Sequence, residues 1–383
     1  MGDKKPVKAS EALYRQIYNH LLAQIKDGVY EDKRLPTEKE ITEQFFVSRI
    51  TARKALDRLA ADGMVVRISG KGTFVRKGKS ILPGPAQRQA GMPLIALVMG
   101  GYSSSFGMGI LNAAIDQAER EGVHIILKNA GNSQAREFRI LEDLKRSGVD
   151  GIIVQPAHGE IYSQWLINAA FDHYPIVMID RFLPGIDMPF VGVDNERLSE
   201  TAANHLIEAG HRNICLVTME AETASTLKAR MEGFKWALNR HKIPVNTDLW
   251  LTNLAKRMRD ENKNSEEAYA FYTQQIVRHL KAHPEITAVF CTEYLVSRLV
   301  YKAIEKSGMR VPEDYSIVGF DGEESGMDEG FLAHVRQPQS RMGEEAVKMV
   351  CAMIRGEKPE NQHLMLDGEW VEGRSVAEPS PRR

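Results

Sequence analysis

Arg49 and Arg53 stand four residues apart in the stretch VSRITARKALDRLAADGMV, Val47 to Val65. On a helix, residues at that spacing share a face. A guanidinium can donate two parallel hydrogen bonds to O6 and N7 of a guanine. Ser48 and Thr51, near the start of the stretch, carry hydroxyls that can donate to phosphate oxygens. Ala52, Ala55, Leu56, Leu59 and Ala60 form a separate apolar stripe at a period of 3.6. Two readings of such a helix are open at this point: a helix that packs by one face and reads a nucleic acid with the other, or a packed helix with a solvated basic face. Catalytic chemistry is harder to place. The 11 histidines are scattered along the chain. No GxGxxG follows the first strand, no GxxxxGK[S/T] phosphate loop occurs, and no His/Cys spacing suits a metal. The residues therefore predict no metal, no cofactor and no enzyme.

The elements around the arginines favour nucleic acid. Ser10 to Asp27 has apolar residues at Leu13, Ile17, Leu21 and Ile25, the pattern of a helix capped by Ser10 and stopped at Gly28. In LPTEKEITEQF, Thr37 and Glu40 make a capping box and Ile41 opens an apolar face. After Gly63, MVVRISGKGTFVR reads as two short strands around a glycine turn. Helix, helix, turn, helix and a two-stranded wing make a winged helix-turn-helix, in which the helix holding Arg49 enters the major groove. Charge agrees. The first 80 residues hold 17 of the 50 Lys and Arg but only 10 of the 51 Asp and Glu, a net +7; the remainder carries −8. A basic end on an acidic body fits a polyanionic partner for that end alone.

The organisation is then a winged helix-turn-helix domain over residues 1–77, a Gly/Pro-rich linker over 78–92 and a large domain over 93–383. In the last, the apolar runs PLIALVMG, HIILKNA, GIIVQPA, PIVMID, NICLVTM, AVFCTE and YSIVGFD alternate with amphipathic helices. That is the signature of a parallel sheet covered on both faces, in an α/β fold. About 290 residues exceed one comfortable sheet, so two lobes are expected. Lobe 1 takes about 93–190 and 337–359; lobe 2 takes about 191–336 and 360–376. A further helical stretch lies near Leu254 to His279. Cys215, Cys291 and Cys351 sit among apolar residues and read as buried, reduced thiols. With no membrane span and no secretory leader in MGDKKPVKAS, a cytoplasmic protein is expected.

Two resemblances sharpen these expectations. LPTEKEITEQFFVSRITARKALDRLAADGMVVRISGKGTFV closely resembles the GntR-type winged-helix signature. The resemblance implies a homodimer on double-stranded, pseudo-palindromic operator DNA. It places Lys39 and Arg49 at DNA-contacting positions, with Ser48, Thr51 and Arg53 beside them, and the wing tip Ser69, Gly70, Lys71 and Gly72 at the minor groove. Ile50 stands where a polar contact residue is common and suits a thymine methyl instead. The large domain resembles the LacI/GalR regulators and their periplasmic sugar-binding relatives, through IDRFLPGIDMPFVGVDNERLSETAANHLIEAGHRNICLV, RSGVDGIIVQP, VPEDYSIVGFDG and VRQPQSRMGEEA. It implies two Rossmann-like lobes joined by three crossings with a ligand in the cleft. On that pattern Arg181, Arg230, Asp321 and Gln337 are ligand positions, Thr226 joins Arg230 one turn away, and Phe106 supplies an aromatic wall. Relatives usually carry an Asn-Asp pair after AVF; here Glu293 and Tyr294 stand instead, able to accept hydroxyl protons and to stack.

The pairing of these two parts looks like the bacterial arabinose-repressor type. The expected function is a repressor of carbohydrate-utilisation genes, released from its operator by a small sugar, with L-arabinose or a related sugar in front. The alternatives are a solute-binding protein without regulatory function and a regulator that answers to a non-sugar ligand.

Overall fold

A computed structural model describes residues 9–26, 29–30, 34–61, 65–68, 72–75, 92–157, 163–183, 185–219, 224–252, 254, 266–322, 330–359 and 361–380. The chain divides into two compact units, Met1–Pro83 and Gly84–Arg383. The expected linker falls outside the described residues except for Met92.

The first unit contains α1 (Ala9–Lys26), α2 (Glu38–Phe45), α3 (Arg49–Ala61) and the strands β1 (Val65–Ile68) and β2 (Gly72–Val75). α1 is described from Ala9, so Ser10 lies within it; Gly28 lies outside the described residues. The capping box is present. Thr37 N–H donates to Glu40 Oε2 at 2.6 Å and Glu40 N–H donates to Thr37 Oγ1 at 3.2 Å. The Thr37 N–H, and the Thr37 hydroxyl that donates to Glu40 Oε2 at 2.9 Å, hold the Glu40 carboxyl below its usual pKa. Ile17, Leu21, Leu35, Ile41, Ala52, Ala55, Leu56, Leu59 and Val65 form the core; of the other two positions that the period marks on α1, Ile25 is partly buried against it and Leu13 is exposed. The wing pairs antiparallel, Val66 opposite Phe74. It is tied back to the segment before α2 by Leu35 N–H to Thr73 O at 2.8 Å.

The second unit opens with β3 (Leu94–Met99), α4 (Met108–Glu121), β4 (His124–Asn129), α5 (Gln134–Arg146), β5 (Gly151–Val154), α6 (Gln164–Phe171), β6 (Ile176–Ile179) and β7 (Phe190–Val193). It continues with α7 (Asn195–Glu208), β8 (Ile214–Val217), α8 (Ser225–Arg240), α9 (Glu266–Ala282), β9 (Ala288–Cys291), α10 (Tyr294–Lys306), β10 (Ser316–Phe320) and β11 (Ala333–Arg336). It ends with α11 (Gln339–Ile354), β12 (His363–Leu366) and β13 (Glu369–Val371). Among the described residues these strands form two sheets. One runs β12-β7-β6-β5-β3-β4, all parallel; the other runs β13-β11-β10-β9-β8, parallel except for β13. The chain passes between the sheets after β7, after β11 and between β12 and β13. The central strands are buried throughout because helices cover both faces.

The division into lobes departs from the sequence expectation at one point. Residues 360–376 were expected in lobe 2, yet β12 pairs with β7 in the first sheet, Leu364 opposite Val191, and only β13 joins the second. Edge strands are short and half-exposed, so their sheet is set by backbone pairing across the fold, not by a hydrophobic run. The helix expected from Leu254 is seen from Glu266, residues 255–265 lying outside the described set. The three cysteines are buried, unpaired thiols.

The two lobes have tight seams. At Gly233 of α8, a methyl group would lie 2.0 Å from the Glu196 carbonyl oxygen of α7, so only glycine allows this helix crossing. Buried His211 lies between α7 and β8. Its Nδ1 is 2.8 Å from the Thr287 hydroxyl, and its Nε2 is 2.9 Å from both Ser316 Oγ and the Ala377 carbonyl. Burial lowers its pKa, so it is a neutral fastener for the C-terminal segment. Gly233→Ala should destabilise the second unit by ~1–3 kcal/mol or more, the range for overpacking a tight core; urea unfolding of the full chain followed by far-UV circular dichroism would measure it.

Candidate functional site

In a parallel sheet, loops at the strand C-termini open into the same space, and side chains there can converge across a crevice. The second unit uses this twice, once per sheet. Phe106 lies in the loop after β3, Arg181 follows β6, and Thr226 and Arg230 lie on the first turns of α8 after β8. Glu293 and Tyr294 follow β9, Asp321 follows β10 and Gln337 follows β11. These eight residues line one cavity of ~170 Å³, together with Ser105, Gln155, Asp180, Leu227 and Leu295.

The two sheets present the same local device. Asp180 and Asp321 each end a strand in the left-handed region, φ 65° and 58°. Each backbone N–H donates to the neighbouring strand, Asp180 to Val191 O at 2.9 Å and Asp321 to Val335 O at 2.8 Å. Aspartate tolerates this conformation better than bulkier residues. Each carboxylate is then held by a glutamine: Gln155 Nε2 donates to Asp180 Oδ2 at 2.6 Å, and Gln337 Nε2 to Asp321 Oδ2 at 2.7 Å. The backbone N–H of Gln337 also donates to Asp321 Oδ1 at 3.2 Å.

Two guanidiniums face these carboxylates. Arg230 is 5% exposed; its Nε donates to Asn195 Oδ1 at 2.8 Å, its Nη1 donates to Thr292 O at 2.6 Å, and its plane lies 3.9 Å from the centre of the Phe320 ring. Arg181 Nη1 donates to Asn132 Oδ1 at 3.0 Å and to Pro156 O at 3.2 Å, and its Nε is 3.6 Å from Asp180 Oδ2. Burial lowers the pKa of both; Asp180 and Glu293 oppose that effect at each, and Asp321 opposes it most strongly at Arg230. Burial also pushes Asp321 up to about 6, against Arg230 and Gln337. Behind Arg181, buried Glu137 accepts the Ala157 N–H at 2.6 Å and is pushed up to about 7 by burial. Among the described residues, Gln337 Oε1 and Arg181 Nε, both on residues that line the cavity, are buried without a hydrogen-bond partner. Tyr294 is held through its hydroxyl by Arg298 Nη1 at 3.1 Å.

Sequence reasoning did not assign Gln155 and Asn132 a role. Neither has a distinctive spacing; each matters because the sheet brings it against Asp180 or Arg181. Asp180 anchors the end of β6 through its N–H to Val191 O and also lines the cavity.

The first unit places the other candidates. Ser48 caps α3: its Oγ accepts the Thr51 N–H at 3.2 Å and lies 2.8 Å from the Thr51 hydroxyl. Thr51 is only 7% exposed, and its hydroxyl lies against that of Ser48 in the cap. Arg49 is exposed and has no hydrogen-bond partner among the described residues. Arg53 is exposed but donates Nε and Nη2 to the Glu38 carboxylate at 3.1 and 3.3 Å, linking α3 to α2. Lys39 is exposed, 3.8 Å from Glu43. Ser69, Gly70 and Lys71 lie outside the described residues; Gly72 opens β2 at φ 119°, a conformation that excludes most side chains. Two apolar side chains flank Arg49 in sequence: Ile50 is 79% exposed, and Phe46, in the left-handed turn after α2, is 95% exposed.

Comparison with known proteins matches both units. Residues 13–75 match the gntR family of bacterial regulatory proteins, and residues 203–376 match a periplasmic binding protein-like domain. An arabinose metabolism transcriptional repressor of Geobacillus stearothermophilus is 30% identical over 346 residues, covering 89% of this chain and 91% of that protein. Its counterpart in Halalkalibacterium halodurans is 27% identical over 377 residues, covering 94% and 96%. Among solved structures, the transcription regulator CcpA of Lactococcus lactis has a TM-score of 0.63 at 21% identity, over 75% of this chain and all of that one. The complex of the transcriptional regulator CelR with cellobiose also has a TM-score of 0.63, at 20% identity, over 89% of this chain and all of that one. The relatives named here are transcriptional regulators, and neither matched family is a catalytic one. The chain thus belongs to the gntR family of bacterial transcriptional regulators, in the group that carries a periplasmic binding protein-like domain behind the winged-helix head.

Proposed function

We propose that this chain represses carbohydrate-utilisation genes as a cytoplasmic homodimer, and that a small neutral sugar, L-arabinose first, releases it from its operator. The observation that carries this reading is the single cavity lined by Phe106, Arg181, Thr226, Arg230, Glu293, Tyr294, Asp321 and Gln337. Fixed carboxylates, amides and guanidiniums suit a ligand with hydroxyls on all sides, and an aromatic ring suits its apolar face. The charge favours an uncharged polyol over a phosphate ester or sugar acid. Two guanidiniums face Asp180, Glu293 and Asp321, and both are engaged within the fold, so no unopposed positive charge awaits an anion. Likeness to two arabinose metabolism repressors supports L-arabinose as the first candidate.

On the DNA side, Arg49 and Lys39 form the exposed basic face, with Arg53 able to join by leaving Glu38. Ser48 and the wing residues Ser69, Gly70, Lys71 and Gly72 belong to the proposed contact surface; Thr51 supports it through the cap. A winged-helix dimer reads two half-sites, and the sugar can release it only through its differential affinity for two states. A coupling of ~1–3 kcal/mol corresponds to a 5- to 150-fold loss of operator affinity.

Calorimetric titration of the full chain tests the ligand first. L-arabinose at 100 times its dissociation constant should add ~2.7 kcal/mol to the stability of the second unit, while pentose phosphates bind at least tenfold more weakly; equal or tighter binding of the phosphates would overturn the neutral-ligand reading. The pH dependence has a definite sign. The raised pKa of Asp321 makes its protonated form the better tolerated one in the fold, so its stabilising contribution is complete below ~4, the ordinary carboxylate value, and is lost as pH rises through about 6. Sugar binding runs the other way, because the ionised carboxylate is the hydroxyl acceptor: affinity should fall as pH drops below about 6, and Asp321→Asn should abolish that step and weaken binding at pH 8. Arg49→Ala should cost ~1–3 kcal/mol of operator affinity and relax the preference at one base pair; gel-shift competition against single-base operator variants separates this from a phosphate contact, which would weaken all sequences alike.

A further inference from the structure

The geometry points to Gln339 as a positioning residue that holds Phe106 in the cavity and ties it mechanically to Asp321. This rests on the cavity being the ligand site. Phe106 stands at the tip of a tight turn closed on itself. Ser103 N–H donates to Phe106 O at 2.8 Å and Phe106 N–H donates to Ser103 Oγ at 3.1 Å. These bonds shape the turn but do not fix it to the body of the lobe. Gln339 supplies that attachment from 232 residues away: its Oε1 accepts the Gly107 N–H at 2.8 Å and its Nε2 donates to Ser105 O at 2.9 Å. One carboxamide therefore clamps the backbone on both sides of Phe106. The approach is close, since a methyl group on Gly109 would lie 2.9 Å from Gln339 Cβ.

The place of Gln339 in the chain gives the clamp its second role. It is the first residue of α11, two residues after Gln337, at one of the passages between the lobes. Gln339 N–H donates to Gln337 O at 2.8 Å, and Gln337 holds Asp321 through both its backbone and its side chain. A continuous series of hydrogen bonds and two peptide units thus runs from Asp321 on the second sheet to Phe106 on the first. A ligand that binds Asp321 and packs on Phe106 touches both ends. Gln339 is not among the residues that line the cavity; it acts through Phe106.

The test is a double-mutant cycle with L-arabinose as probe, read by calorimetry on the full chain. Gln339→Leu keeps the size of the side chain and removes both hydrogen bonds; it should weaken binding about tenfold, as expected for two neutral hydrogen bonds. In a Phe106→Ala background the same substitution should cost less than about twofold, because its target is gone. Gln339→Glu keeps the acceptor for the Gly107 N–H and loses the donor to Ser105, and should restore part of the loss. An equal loss with and without Phe106, or no loss from Gln339→Leu, overturns the proposal. If the wild-type chain binds no L-arabinose, the choice of sugar fails separately. The clamp is then judged by amide hydrogen exchange: faster exchange confined to residues 103–107 in Gln339→Leu supports it, and unchanged exchange there overturns it.

Discussion

The structure of the large unit turns on one buried charge. Arg230 is almost fully withdrawn from water, and an unpaired guanidinium in such a place costs several kcal/mol. Its compensation comes from widely separated segments: Asn195 just past the first passage between lobes, Thr292 at the end of β9, the Phe320 ring closing β10, and Asp321 beyond it. Even its carbonyl is taken, by the Ser199 hydroxyl of α7. Packing of α7 on α8 through Gly233 places the guanidinium where these partners meet. The residues that line the cleft and those that hold this part of the fold are here the same ones, so the cleft is preorganised by the arrangement that keeps the charge tolerable.

A preorganised cleft with mirrored halves suits a switch. Asp180 with Gln155 on the first sheet and Asp321 with Gln337 on the second give each lobe one fixed acceptor and one amide. A ligand that satisfies both halves binds better when the lobes are in one relative arrangement than in another, which is the differential affinity an allosteric regulator requires. The DNA-binding unit is built on different physics. Its small core of aliphatic side chains and its capped helices hold Arg49 outward, with the nearby Arg53–Glu38 pair fixing α2 against α3.

Much of this was legible in the sequence. The capping box at Thr37 and Glu40, the apolar stripe of α3 and the central strands from β3 to β10 follow from local rules, and local interactions decide them in the fold as well. The effector candidates were found by resemblance of short motifs, several of them, as at Arg181, Glu293, Asp321 and Gln337, just past the end of a strand. Other features were hidden. Strand β12 was assigned to the wrong lobe because an edge strand with exposed residues has no hydrophobic signature, and its sheet is chosen by which neighbour has free backbone groups. Spacing alone could not tell that the Thr51 hydroxyl lies against that of Ser48 in the cap of α3.

The sequence by itself determined the elements, the division of charge between a basic head and an acidic body, and the residue types offered at each strand end. Periodicity, capping and composition act over a few residues, so they can be read without the fold. Only the tertiary structure decided which of those residues meet. That Gln155 serves Asp180, that Gln339 clamps a turn 232 residues earlier in the chain, and that Arg230 is matched by Asn195 and Thr292 depend on how strands are ordered in two sheets. Strand order is set by long-range packing and backbone pairing, which leave no trace in local spacing.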